Sequence, residues 1–495
     1  MHQLTREEFQ DALKKGLGRA VQHVRSSPPE AVRDDLVHAC TEYLAWSSQQ
    51  DGCRVTWLFR MIEATGEYDY YRQKIIEAVE QIPDDTYGID TICQLFGLMA
   101  KFAERGDNEV LEIMRRRFDS ARILYVPHFG FDELFRLDGI DALIRFLRRE
   151  WKRVCDDEEL WADDDEITIA EEELGKEVVQ AALKVAARDD ESIRFCLERI
   201  KRQQAEQEAR KAAEEKQKQK LMERPEVLPN LRELIDGMEN DGSTKTKWKF
   251  VAFRNAFLSR HNSGDFYAKP TPEELEYAFQ KLLEATDPEH QLCLLGIFIE
   301  ETMPRFDSRL WPLLFNAPNS EVRWAAEQAF SRMTDPAIRE KGLKLIRKKP
   351  DSLDWIRGID LLEKNFMTDP VVRERGLELI AKGPEFKDWH CGIDLLEKSF
   401  QAEDEFVIMK KLESVPPDTY IDDMHNIGYS VIKLARANPE VRLESLLLWV
   451  YEHTFCADCR CRSVEQMIKR NIAPQHLLEE CLDDSYKDTR ELVAK

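Results

Sequence analysis

The chain has 495 residues, 43% hydrophobic and 34% charged, which is too long for one compact domain and too apolar for a disordered chain. It holds no run of about 18 apolar residues, and its opening MHQLTREEFQ lacks the apolar core of a secretory signal, so a cytoplasmic chain with no membrane span is expected. The formal net charge of −23 opposes approach to nucleic acid and suits a protein partner with a basic surface.

Amphipathic runs at 31–46, 54–64, 70–81, 88–104 and 107–117 predict short helices joined by turns such as Ile82-Pro-Asp-Asp. No alternating β-branched run argues for a sheet. Residues 1–155 therefore read as an array of helical hairpins. The loop Pro127-His-Phe-Gly-Phe-Asp-Glu133 carries aromatics that look exposed, and loops often carry function. Of the eleven cysteines, Cys93, Cys196 and Cys293 sit in apolar helical contexts and are expected to be reduced and buried.

Residues 156–225 break the pattern. Eleven carboxylates and no basic residue fall in 156–173, which predicts an acidic loop leading into a helix. Residues 201–220 contain no apolar side chain larger than alanine and carry the i,i+4 pairs Glu206–Arg210 and Glu214–Lys218. They predict a polar helical spacer ended by Pro225. Beyond it, Lys245, Lys247, Trp248, Lys249, Phe250 and Arg254 interleave cations with aromatics, a pattern that stacks bases and tracks phosphates. Phe250, Phe253 and Phe257 share one helical face, so a core stripe with solvated cations explains the segment more simply.

Residues 335–368 and 369–402 align without a gap and are identical at 20 of 34 positions, so one structural unit has been duplicated. Asp335 and Asp369 are placed to cap a first helix, with Pro336 and Pro370 at its first position. That helix is expected to end near Pro350 and Pro384. A second helix is expected to run to Phe366 and Phe400 behind the stripes Trp355, Ile359, Leu362 and Trp389, Ile393, Leu396. Gly342 and Gly358, repeated as Gly376 and Gly392, predict a close approach of the two helices where a Cβ does not fit.

The opening recurs at Asn319-Ser-Glu-Val-Arg323 and Asn438-Pro-Glu-Val-Arg442, with fainter echoes at Pro29-Glu-Ala-Val-Arg33 and Asp488-Thr-Arg490. A cap, a short gap and then Val/Ile-Arg resembles the first lines of HEAT repeats, most clearly over residues 319–450. The tetratricopeptide pattern of the same period is absent. The resemblance implies an all-α fold, an α-solenoid of helical hairpins. Residues 1–155 and 226–495 would form its two halves, joined by the polar helical linker at 156–225. It implies a non-catalytic scaffold whose surface binds a protein partner. HEAT-like folds also include DNA glycosylases, which keeps a nucleic-acid-binding enzyme as an alternative. HEAT-like hydroxylases hold iron through His-Glu pairs, and this chain has no His-Glu dipeptide.

Two C-terminal groups carry chemistry. Asp422-Asp423 with His425 fits either a metal or acid–base site or a polar turn before a helix. His453, Cys456, Cys459 and Cys461 place four soft ligands within nine residues, a donor set that suits tetrahedral zinc or a redox role at a helix N-terminus. The spacing is not that of a standard finger, and small residues at a helical turn account for it equally. No phosphate loop, nucleophile elbow, HExxH or dinucleotide fingerprint is present.

Overall fold

The computed structural model describes residues 3–44, 54–82, 89–120, 130–156, 164–222, 231–240 and 270–495, less short gaps at 301–302, 306, 316, 318, 331–332, 334, 348–354, 356, 360, 363–365, 387 and 418. All regular structure among the described residues is helical. The chain divides into two compact units, Met1–Arg224 with Thr454–Glu465 and Ala473–Lys495, and Pro225–His453 with Gln466–Ile472.

In the first unit the helices Pro29–Thr41, Val55–Thr65, Tyr68–Gln81, Ile89–Ala103 and Asn108–Ser120 occupy the predicted amphipathic runs. Two earlier helices, Arg6–Lys15 and Gly18–Ser26, precede them; Thr5 and Glu8 form a capping box on the first, and Gly16 ends it at φ +79°. Phe131 is fully buried and stacks on Phe135, so this aromatic of the loop is core, while Pro127, His128 and Phe129 lie outside the described residues. Cys93 is exposed, contrary to expectation: Ile92, Leu95, Phe96 and Met99 take the buried face of its helix and leave it on the other. Cys196 is buried as expected. It lies at the start of a single 32-residue helix, Glu191–Met222, anchored by Ile193 and Ile200 and exposed from Ala205 to Ala212.

Residues 226–495 read as one region in the sequence, yet the last helices pack with the first ones. Gly18 allows it: a Cβ there would lie 1.9 Å from the Glu480 carbonyl oxygen. Arg19 pairs with Glu480 at 2.8 Å, Arg25 and Arg60 with Asp483 at 2.8 and 2.6 Å, and Trp57 Nε1 donates to the Asp483 carbonyl.

In the second unit Asp335 and Asp369 cap Pro336–Leu345 and Pro370–Lys382, accepting from Ala337 and Val371 N–H at 2.8 and 2.9 Å. Trp355, Leu362, Trp389, Ile393 and Leu396 are buried. A Cβ on Gly376 would lie 2.9 Å from the Gly392 carbonyl oxygen, and one on Gly392 would lie 2.5 Å from that of Gly376. Gly342 and Gly358 face each other less closely, with the opposite carbonyls 3.4 and 3.1 Å from an added Cβ and the Leu362, Leu345 and Ile346 side chains nearer, at 2.8 Å. The repeated glycines are therefore where two backbones touch.

The second hairpin arm is shorter than the sequence suggests. Only Cys391–Leu395 is α-helical, and Trp389 precedes it in a turn opened by Asp388 at φ +61°. The N–H groups of Cys391, Gly392, Ile393, Leu396, Glu397 and Ser399 donate three residues back, so tight turns flank this short helix. Asn438 also departs from expectation. It ends Ile421–Ala437, and its amide donates to the Glu397 and Leu434 carbonyls, while the next helix starts only at Glu444. Leu443 at φ +51° separates the two.

One device recurs inside each unit. Arg33 binds Glu67, which precedes Tyr68–Gln81; Arg72 binds Asp107, which precedes Asn108–Ser120. Arg339 binds the Asp369 cap at 2.8 Å, and Arg373 binds Asp404 at 2.7 Å. Each arginine sits in the first turns of one hairpin and neutralises the carboxylate that opens the next. The helices Pro370–Lys382, Asp404–Leu412 and Glu444–His453 pack in succession, as do Cys391–Leu395 and Ile421–Ala437.

Candidate functional site

The cysteine segment begins at the N-terminus of Ala457–Lys469. Cys456 precedes the helix, and its Sγ accepts the Cys459 N–H at 3.4 Å, the bond a capping side chain makes. The two sulfurs lie within 4.8 Å, and both residues are 1% exposed. The hydrogen bond with Cys456 and then burial push the Cys459 thiol up, so it stays protonated at neutral pH. Burial pushes Cys461 up to about 11, against a hydrogen bond with Thr489. His453, counted with the second unit, stacks its ring on Trp449 at 4.8 Å and places Nδ1 3.0 Å from the Trp449 carbonyl oxygen. Of the four residues singled out in the sequence, the structure brings Cys456 and Cys459 together. Two buried cysteines supply half of a tetrahedral zinc set.

Buried charge surrounds this segment within the first unit. Arg460 is 1% exposed and donates through Nη1 to the Thr454 and Phe455 carbonyls at 3.3 and 2.7 Å. Lys14 Nζ lies 4.7 Å from the centre of the Phe455 ring. Burial raises Asp484 to about 6, with Arg460 opposing the rise. Arg490 donates to the Asp484 and Ser485 carbonyls at 2.6 and 2.8 Å, which is the role of the arginine in the C-terminal echo of the repeat opening. These groups tie chain segments together.

Asp422 and Asp423 lie in the first turn of Ile421–Ala437, where carboxylates favour the positive end of the helix dipole. His425 stacks on Tyr429 with ring centroids 6.4 Å apart. The basic aromatic segment from Lys245 to His261 lies outside the described residues.

Asp394 has no signal in the sequence that marks it as a site. It sits in the repeated GIDLLEK motif, a carboxylate set among apolar positions. Ser430 Oγ donates to it at 3.1 Å, and Lys433 Nζ stands 3.8 Å from Asp394 and 3.5 Å from Glu397. Burial raises Asp394 to about 7; Ser430 opposes the shift and Glu397 adds to it. The neighbouring His390 is lowered to about 4 by burial and is neutral at pH 7.

Several large apolar side chains on the second unit are left out of the core. Phe406 is 74% exposed, Tyr420 67%, Trp324 55% and Val371 42%. Phe406 is the most exposed large hydrophobic side chain among the described residues. Comparison with known protein families, curated proteins and solved structures finds no match for this chain.

Proposed function

We propose that this chain is a non-catalytic binding scaffold, an α-solenoid of HEAT-like hairpins in two halves, that holds a protein partner on its helical surface. The observation that carries the reading is the recurring ion pair from an arginine to a carboxylate at the next helix N-terminus, Arg33–Glu67 and Arg72–Asp107 in one unit, Arg339–Asp369 and Arg373–Asp404 in the other. A link that repeats from hairpin to hairpin builds an array whose side chains present a broad surface, and repeat proteins use such surfaces for partners. Exposed aromatics such as Phe406 and Tyr420 are the residue types that anchor interfaces. The charge of −23 favours a partner with a basic face over nucleic acid. The test is capture of the tagged chain from nuclease-treated extract, then calorimetric titration with the captured protein after purification. Saturable binding between the two purified proteins supports the scaffold; binding that survives only with nucleic acid present overturns it.

The Cys456–Cys459 pair favours a second reading, a zinc- or thiol-responsive interaction module. Stoichiometric zinc in the purified protein, lost in Cys456→Ser, supports it; a metal-free, fully folded preparation with unreactive thiols removes it.

A further inference from the structure

The arginine ladder fixes a register between hairpins, and that register lines up exposed apolar side chains. Arg339 lies four residues after Asp335 and binds Asp369; Arg373 lies four residues after Asp369 and binds Asp404. Asp369 and Asp404 are therefore matched as the acceptors of these arginines, Asp369 as a helix cap and Asp404 as the first residue of its helix, and Val371 and Phe406 each lie two residues further on. Pro370–Lys382 packs against Asp404–Leu412, so their first turns stand side by side, at the roughly 8–10 Å spacing of packed helices. Val371 is 42% exposed and Phe406 74%, and Pro336 and Pro370 beside them are exposed as well.

The charged rim of this strip is acidic. Glu340, Glu374 and Glu403 are exposed; Glu374 lies three residues after Val371 on its helix, and Glu403, three residues before Phe406, is the N-cap of Asp404–Leu412. The nearby guanidinium groups of Arg339 and Arg373 are engaged by Asp369 and Asp404, and Arg375 by Glu378 and the Ile346 carbonyl. Lys410, one turn beyond Phe406, is the exposed cation on that helix. An apolar strip framed by carboxylates repels a second copy of itself, an anionic membrane and nucleic acid alike.

We infer that the Val371–Phe406 strip is a docking site for a basic polypeptide segment, one that sets an apolar side chain against Phe406 and Lys or Arg against Glu374 and Glu403. This inference rests on the scaffold reading and names the partner chemistry at one place on it. Solvent loses contact with the phenyl ring on binding, and the flanking cations fix orientation and speed the encounter.

The test uses the full chain and three fluorescein-labelled sets of 12-residue peptides: basic with a Leu or Phe anchor, basic with Ser at the anchor, and acidic with the anchor. Fluorescence anisotropy should show saturable binding of the basic, anchored set, weakened about tenfold or more by Phe406→Ser and by loss of the anchor. Glu374→Lys with Glu403→Lys should abolish it, and added salt should weaken it. Trp324→Ser, an exposed aromatic of another helix, should leave it unchanged. Thermal melts matching the wild type show that the variants fold. Equal binding by Phe406→Ser, equal binding of the acidic set, or no saturable binding below millimolar peptide overturns the docking site. A captured partner that binds Phe406→Ser as tightly as wild type removes the strip and leaves the scaffold; absence of any protein partner removes the scaffold itself.

Discussion

Gly376 and Gly392 show what a single missing Cβ does here. Alanine is the better helix former by about 1 kcal/mol, so substitution on an open helix would stabilise. At these positions the new methyl meets the opposite carbonyl, 2.9 or 2.5 Å away, and backbone cannot swing aside. Gly376→Ala and Gly392→Ala should each destabilise by about 1–3 kcal/mol in urea unfolding; a stabilised variant contradicts the close approach. The pattern of repeated glycines made this contact legible in the sequence. Asp394 was not legible, because burial acts through three-dimensional neighbours: Ser430 and Lys433 come from another helix. Its folded pKa of about 7 lies above the roughly 3.9 of an unfolded aspartate, so the folded chain binds the proton more tightly. Stability from this group is then highest below about pH 4 and is lost as the pH rises through 7. Asp394→Asn, which still accepts from Ser430, should flatten that fall and melt higher than wild type at pH 8. Parallel stability profiles for the two proteins between pH 4 and 8 contradict the assignment.

Between hairpins, the element-scale link is the pair Arg373–Asp404, whose side chains are 20% and 4% exposed. Removing the arginine leaves Asp404 charged and buried, with the Gln401 N–H at 2.9 Å as one remaining donor. Arg373→Met should cost about 3–5 kcal/mol, and Arg373→Met with Asp404→Leu should recover most of it. Equal losses in single and double variants would show that the pair carries no register. The arginine of the repeat opening was visible in the sequence, but its partner was not, since the carboxylate lies 30 or more residues away and opens a different helix. Arg72 and Asp107 carry no such motif and emerged only from the fold. Helix length was also beyond the pattern. A stripe spaced 4, 3 and 4 reads as an α-helix, yet tight turns on both sides leave only Cys391–Leu395 α-helical while keeping Trp389 buried. Trp389→Ala should still cost about 3–5 kcal/mol, as should Trp355→Ala, because burial and not helix type sets the loss.

For the whole molecule, composition and periodicity specified an all-helical chain, and they hid how its ends are used. Gly16, Gly18, Glu480, Asp483 and Ser485 bind the first and last helices into one unit, through residues hundreds of positions apart that no local pattern relates. The excess of carboxylates has a simpler part in the account. Many face their own hairpin neighbours, and in the scaffold proposal the exposed ones near Phe406 are the groups that would favour a basic partner. The most direct measurement is sedimentation velocity of the endogenously tagged chain after nuclease treatment and gentle purification. The scaffold account predicts a stoichiometric complex with a protein partner that dissociates as salt rises. A chain that sediments alone at every salt concentration, or only with nucleic acid, contradicts it.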